Sequence, residues 1–308
     1  MQKKLRVLFF LVVFCLAIFF LVDISDVLAG LEGISLKVFV VASLLYLAFY
    51  LINAKVLALL LGAMGYRVAL SGCFGVNQFS SLFSYVAPFR AGQYAVKAVL
   101  MKSLFAVSFS ASAVGFLVAS LLSMFASIAL FLLSAFFLKN SYFWDKYSEL
   151  FLFFAFLLVV VPSGVWLAGR ALGVHEKVRG VVRAVSVFSV GLVLLCVVLL
   201  LLQVFISALI TMEFLEGVGV QVDLMTAIFL SAVGNIALLV SITPGNLGAK
   251  ELTFVGMGML LGIPESPMLS ALIADRLLQI ALSMAFSVIL FCRNRVLLLK
   301  ALQMGRKP

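Results

Sequence analysis

The sequence predicts an all-α polytopic membrane protein, and three observations carry that expectation. Of 308 residues, 65% are hydrophobic, 11% are charged and 30 are phenylalanine, with a mean hydropathy of +1.29. Globular domains run about 45–50% apolar and about 25% charged, so this chain needs a solvent other than water. Several apolar runs reach the roughly 20 residues that a helix needs to cross a bilayer. The charges, net +10 with 22 Lys and Arg, sit in short clusters between those runs. That is the pattern of membrane topology, not the basic stripe with interleaved aromatics that binds nucleic acid.

Six segments are expected to span: 5–22, 36–63, 104–138, 149–170, 184–212 and 268–292. The first follows Lys3, Lys4 and Arg6 and precedes Val27-Leu28-Ala29, so it also has the outline of a signal peptide. Asp23 and Asp26 interrupt the approach to cleavage, and the segment is expected to stay as an anchor. Two further apolar regions, 72–103 and 224–263, are broken by Pro88-Phe89-Arg90-Ala91-Gly92 and Pro244-Gly245-Asn246-Leu247-Gly248. At about 1.5 Å per residue, the 32 residues of the first are too few for two full spans and a turn. Both are read as re-entrant helical hairpins, hinged at Pro88 and Gly92 and at Pro244, Gly245 and Gly248; the 40 residues of the second also fit two short spans.

Loop charge tests this arrangement, because cytoplasmic loops carry an excess of Lys and Arg. If each broken region makes an even number of crossings, one side receives 16 basic residues against Glu176 alone. The other receives nine carboxylates, among them Asp23, Glu213, Glu216, Asp223 and Glu265, against Lys37, Lys139 and Lys146. Both termini are therefore expected on the cytoplasmic side of a cell (inner) membrane.

The two breaks match at a fixed offset, since Pro88 to Pro244 and Gly92 to Gly248 are both 156 residues. Each half of the chain is two spans, a broken hairpin and one span. The expectation is a single transmembrane domain over 1–308 built from two repeats, 1–145 and 146–308. With three full crossings per half the second must be inverted, an arrangement found in transporters with broken helices. Within 104–138, Ala111, Gly115, Ala119, Ser123 and Ser127 recur every fourth residue. Such a small-residue face lets helices approach closely, within this chain or across a homodimer.

Ionisable side chains inside a membrane are costly, about 2.5–3.5 kcal/mol each at a helix centre on insertion scales, so they ask for an explanation. Arg90 sits at the first break and Lys97 follows it; Lys250 and Glu251 follow the second; Asp275 and Arg276 lie inside the last span. One reading pairs Glu251 with Arg276 and Asp275 with Lys250, pinning the hairpin to the last helix. The other makes Arg90, Lys97, Lys250 and Arg276 a phosphate-holding set, with Glu251 and Asp275 orienting those cations or carrying a coupling proton. Asn77 and Asn246, at the two breaks, are candidate polar contacts to the same ligand, an anionic lipid headgroup.

Enzyme chemistry is not expected. His175 is the only histidine, the four cysteines have no CxxC spacing, and neither GxxxxGK[ST] nor HExxH occurs. No metal or other cofactor is implied.

Pro244-Gly245-Asn246-Leu247-Gly248-Ala249-Lys250-Glu251, then Gly262-Ile263 and Ala274-Asp275-Arg276-Leu277, resemble the signature of the lysylphosphatidylglycerol synthase transmembrane-region family. That family's pattern is PGGLGxRE, GI, and an Arg-Leu in the last helix; the stretch from Asn77 to Gly92 resembles its first motif, which ends P-x-R-x-G. The resemblance covers nearly the whole chain. It implies a flippase-like integral membrane protein, found fused to aminoacyl-lipid synthases or beside glycosyltransferases. The soluble aminoacyl-transferase domain of the fused proteins is C-terminal, whereas this sequence ends at Pro308 after a short basic tail, so synthase activity is not expected. Gln93 stands where many relatives have Glu, Asn246 replaces a glycine, and Lys250 replaces the usual arginine. Lysine cannot grip a phosphate bidentately, which loosens headgroup geometry.

The leading expectation is a lipid translocase for an anionic phospholipid, its aminoacylated form or a polyprenyl-phosphate-linked precursor. A second is a non-transporting scaffold for a membrane glycosyltransferase or lipid synthase. A third is a transporter of a small solute or ion.

Overall fold

A computed structural model describes residues 31–85, 91–138, 188–239 and 249–304. The expected spans at 5–22 and 149–170 lie outside the described residues, as do Pro88, Arg90, Pro244, Gly245, Asn246 and Gly248. Among the described residues all regular structure is helical. In chain order the α-helices are α1 (Leu36–Ala63), α2 (Leu70–Ser81), α3 (Ala91–Phe105), α4 (Phe109–Phe137), α5 (Val190–Gly217), α6 (Leu224–Leu239), α7 (Ala249–Leu260) and α8 (Glu265–Met304), and a 3-10 turn, Leu82–Tyr85, extends α2.

Among the described residues, four helices are long and apolar enough to cross a bilayer: α1, α4, α5 and the Glu265–Ile289 part of α8. They answer to four of the six expected spans, with three shifts of boundary. The expected start at 104 is displaced, because α3 runs on to Phe105 and Ala106 turns the chain with φ +55°. Ser108 then caps α4, its hydroxyl accepting from the Ala111 amide at 3.2 Å. The expected end at 212 is too early, since α5 continues to Gly217 and carries Glu213 and Glu216 in its last turns. The last helix likewise exceeds 268–292 at both ends. In each case hydropathy marks where the apolar side chains stop, while backbone hydrogen bonding continues until a cap or a left-handed residue ends it.

Over the described residues, α2, α3, α6 and α7 have 12, 15, 16 and 12 residues, about 18–24 Å each against the roughly 30 Å of a hydrocarbon core. α2 packs on α3 and α6 on α7. In the second hairpin the arms close where Gly234 meets the ring of Phe254, leaving no room for a side chain there.

The helices recur at a nearly constant offset. α1 and α5 start 154 residues apart (36 and 190), α2 and α6 154 (70 and 224), α3 and α7 158 (91 and 249), α4 and α8 156 (109 and 265). The helix ends repeat too. Gly65 after α1 and Gly219 after α5 have φ +87° and +83°, and each closes a Schellman turn, with Tyr66 N donating to Leu61 O at 2.9 Å and Val220 N to Leu215 O at 2.8 Å. Ala106 and Gly262, at φ +55° and +78°, form a second such pair 156 residues apart. Packing follows the same relation: α1 lies against α5, α4 against α6 of the other set, and α8 against α2.

The bundle is inside-out relative to a soluble one. Leu36, Leu44, Val190, Leu194, Val198, Leu277, Val288 and Ile289 are exposed, while Asn77, Gln78, Lys97, Gln203, Ser231, Asp275 and Ser283 are buried. An apolar outer surface of this extent belongs against lipid. Apolar packing still fills the space between helices, as where Phe131 of α4 stacks on Phe229 of α6 with centroids 5.1 Å apart. The chain is a multi-pass membrane protein.

Candidate functional site

Each long helix carries polar or aromatic side chains three or four residues apart along one face, and the four faces converge. α1 contributes Tyr46, Tyr50 and Asn53; α4 contributes Ala119, Ser120 and Ser123; α5 contributes Gln203, Ser207 and Thr211; α8 contributes Asp275, Arg276, Gln279 and Ser283. The hairpins add Asn77, Gln78, Gln93, Lys97, Asn235 and Lys250, and together they enclose a cavity of about 300 Å³. This is the low end of the size range for small-molecule sites, enough for one polar headgroup.

The small-residue face of α4 is thereby explained. Gly115 packs within the chain, its nearest neighbours being Leu61 and Leu57 of α1 and Met64 just after it, while Ala119 and Ser123 open onto the cavity. At the 156-residue offset, Ala119, Ser123 and Ser127 correspond to Asp275, Gln279 and Ser283. Ala119 and Ser123 of α4 and Asp275, Gln279 and Ser283 of α8 all line the cavity, small side chains on one helix and larger polar ones on the other.

Asp275 is the centre of the hydrogen-bond network. Its Oδ1 accepts from the Tyr46 hydroxyl, and its Oδ2 accepts from Gln279 Nε2 at 2.8 Å and from Lys250 Nζ at 3.1 Å. Gln279 Nε2 also donates to the Tyr46 oxygen at 2.7 Å. Three donors hold the carboxylate in one orientation. Beside it, Arg276 Nη2 meets Glu251 Oε1 at 2.7 Å. Two adjacent residues of α7 thus pair with two adjacent residues of α8, as the pairing Glu251 with Arg276 and Lys250 with Asp275 requires. Lys250 also lies over the Phe254 ring, 5.6 Å from its centroid. Each of these four charges has a partner, and losing one would leave the other buried and uncompensated.

Of the sequence-derived candidates, Lys97, Lys250, Asp275, Arg276 and Asn77 line the one cavity, and Glu251 reaches it through Arg276. Lys97 is a buried residue of α3, its ammonium 4.7 Å from the Phe116 ring centroid. Asn77 donates to Asn53 Oδ1 at 2.9 Å. Gly92 lies in the first turn of α3, and Arg90 and Asn246 lie outside the described residues. Tyr46, Asn53, Gln203 and Gln279 were missed by sequence reasoning. Their signal is the i, i+4 recurrence of polar side chains within spans that are otherwise apolar, as in Gln203, Ser207 and Thr211.

Among the described residues, no group of three or more His, Cys, Asp or Glu could hold a metal ion. The site offers carboxylate-held cations, amides, hydroxyls and tyrosine rings, a set suited to binding a polar group inside a membrane.

No curated protein and no solved structure gives a significant match to the chain. A family model described as the lysylphosphatidylglycerol synthase TM region matches residues 6–287. With the match covering nearly its whole length, the chain belongs to the lysylphosphatidylglycerol synthase transmembrane-region family.

Proposed function

We propose that the protein is a lipid translocase that carries an anionic phospholipid, its aminoacylated form or a polyprenyl-phosphate-linked precursor between leaflets of a cell (inner) membrane. The observation that carries this reading is the cavity itself. Polar faces of four long helices meet at a site where Lys250 and Arg276 are held by Asp275 and Glu251, inside a bundle whose outer face is apolar. A headgroup crossing hydrocarbon loses its hydration; such a cavity replaces water with fixed donors and acceptors. A phosphate entering it meets cations already oriented by neighbouring carboxylates, which costs little reorganisation. Membership in a family named for the membrane region of a lipid synthase supports a lipid-related role.

The reading includes six full crossings, two re-entrant hairpins, cytoplasmic termini and an inverted relation between the halves. The recurrence of helix starts and of the left-handed turns at one offset supports the duplication. In such transporters the site between two inverted repeats opens to either side as one repeat rocks against the other.

The test is mass spectrometry of lipids that stay with the protein through detergent purification, comparing wild type with the double variant Arg276→Met, Glu251→Met. Enrichment of one anionic lipid, lost in the variant, is expected. Equal retention of bulk lipid by both rejects a headgroup site at these residues.

A further inference from the structure

Asp275 is the one carboxylate among the described residues that line the cavity, and its ammonium partner, Lys250, lines it too. Glu251, the partner of Arg276, is not part of that lining. A headgroup that enters therefore meets both members of the first ion pair and one member of the second.

The two carboxylates also differ in what holds them. Glu251 Oε1 faces Arg276 Nη2 at 2.7 Å, a guanidinium that donates and never accepts. Asp275 is held, besides Lys250, by the Tyr46 hydroxyl and the Gln279 carboxamide. A hydroxyl and a carboxamide each carry a donor and an acceptor. Rotation of either group lets it accept from a carboxylic acid, so these partners serve Asp275 with or without a proton.

Charge decides when the proton is needed. Lys250 Nζ lies 3.1 Å from Asp275 Oδ2, so a phosphate oxygen bonded to the same ammonium lies within about 6 Å of that carboxylate. Like charges this close in a membrane interior disfavour each other's ionisation. Among the described residues, the other titratable or charged groups around the cavity on helices packed against α8 are Tyr46 and Tyr50 of α1, Tyr94 and Lys97 of α3, and Glu251 of α7, which pairs with Arg276. Lys97 is directed onto the Phe116 ring of α4. α2, α5 and the 3-10 turn present amides and hydroxyls to the cavity.

We infer that Asp275 couples the site to protons: an anionic headgroup bound at Lys250 is carried together with one proton on the Asp275 carboxylate. This rests on the translocase reading and adds its coupling ion. As the phosphate binds, one H⁺ from the aqueous phase forms an O–H bond on Asp275, and no bond of the lipid breaks. When the headgroup leaves on the other side, that O–H bond gives its proton back to water and the pair of Asp275 with Lys250 reforms. A singly charged headgroup and one proton cross as a neutral unit, so a pH difference across the membrane drives the lipid toward the alkaline side.

The experiment is isothermal titration calorimetry of the detergent-purified full chain with dihexanoyl phosphatidylglycerol, whose phosphodiester does not titrate near neutral pH. Repeating it in buffers of different ionisation enthalpy counts the protons exchanged on binding. The expected count is about one proton taken up per lipid, with Kd weakening about tenfold per pH unit as pH rises. Asp275→Asn keeps the shape of the side chain; in it the uptake should vanish and Kd become independent of pH. Glu251→Gln should still take up the proton, whatever its affinity, and this variant decides the assignment if Asp275→Asn fails to fold. Binding by wild type with no proton uptake and a flat pH profile overturns the inference and leaves the translocase reading standing. Uptake that persists in folded Asp275→Asn, or vanishes in folded Glu251→Gln, overturns the assignment to Asp275. Glycerophosphoglycerol, the same headgroup without acyl chains, binding as tightly with the same proton count upholds the coupling and rejects a lipid substrate. Binding of neither compound overturns both.

Discussion

Tyr46 of α1 donates its hydroxyl to the Asp275 carboxylate of α8, a bond between residues 229 apart in sequence. It ties the first half of the chain to the second at the cavity wall, where Lys250 of the second hairpin meets the same carboxylate. Changes at this point act on stability and on the site together.

Tyr46→Phe removes the hydroxyl and keeps the ring contacts with Phe49 and Tyr50. Asp275 retains Lys250 and Gln279. Loss of this bond to a charged group, together with the one the hydroxyl accepts from Gln279, should cost at least about 1.5–3 kcal/mol, seen as a lower thermal unfolding midpoint in detergent. An unchanged midpoint would mean that the bond adds nothing to the fold.

Arg276→Ala takes from the Glu251 carboxylate the guanidinium that it meets at 2.7 Å, and a cost of about 3–5 kcal/mol is expected. The double variant Arg276→Met, Glu251→Met removes both charges and should recover most of that loss. Chemical denaturation of the single and double variants measures the difference. If the double variant is no more stable than Arg276→Ala, the pair is not what makes the single change costly.

Gly115 and Gly234 should respond in opposite senses to alanine. A methyl at Gly115 would sit 3.4 Å from Met64 Cε, the end of a flexible side chain, so Gly115→Ala should gain about 0.5–1 kcal/mol from helix propensity. Gly115→Leu overfills the contact with α1 and should lose about 1–3 kcal/mol. At Gly234 the methyl would strike the Phe254 ring, and Gly234→Ala should destabilise. Melting temperatures of the three variants decide the matter.

Gly65 after α1 and Gly219 after α5 occupy similar left-handed turns, at φ +87° and +83° with no atom within 4 Å of an added Cβ. Gly65→Ala and Gly219→Ala should each cost about 1–2 kcal/mol through backbone strain alone. Similar losses in equilibrium unfolding are expected; a large difference between them would show that the two turns are not equivalent in the fold.

Much of this was legible in the sequence because a membrane imposes strong patterns. Apolar runs located α1, α4, α5 and α8, and the Pro and Gly clusters separated the arms of both hairpins. The pairing of Lys250 with Asp275 and Arg276 with Glu251 was readable because ionisable residues at bilayer depth need partners. Helix ends were less legible. Ala106 ends α3 in a left-handed conformation that alanine does not advertise, and Glu213 and Glu216 continue α5 past the point where hydropathy falls. Tyr46 and Gln203 were hidden for another reason: tyrosine counts as apolar, and one amide in a run of leucines reads as helix glue until its facing helices are known.

Whether the cavity carries a lipid headgroup across the membrane is measured by reconstituting the purified protein into vesicles with fluorescent anionic phospholipids in one leaflet and timing their appearance in the other. Wild type should move the lipid much faster than protein-free vesicles, and the folded double variant Arg276→Met, Glu251→Met should fall by about tenfold or more. Wild-type rates equal to those of protein-free vesicles would contradict the account.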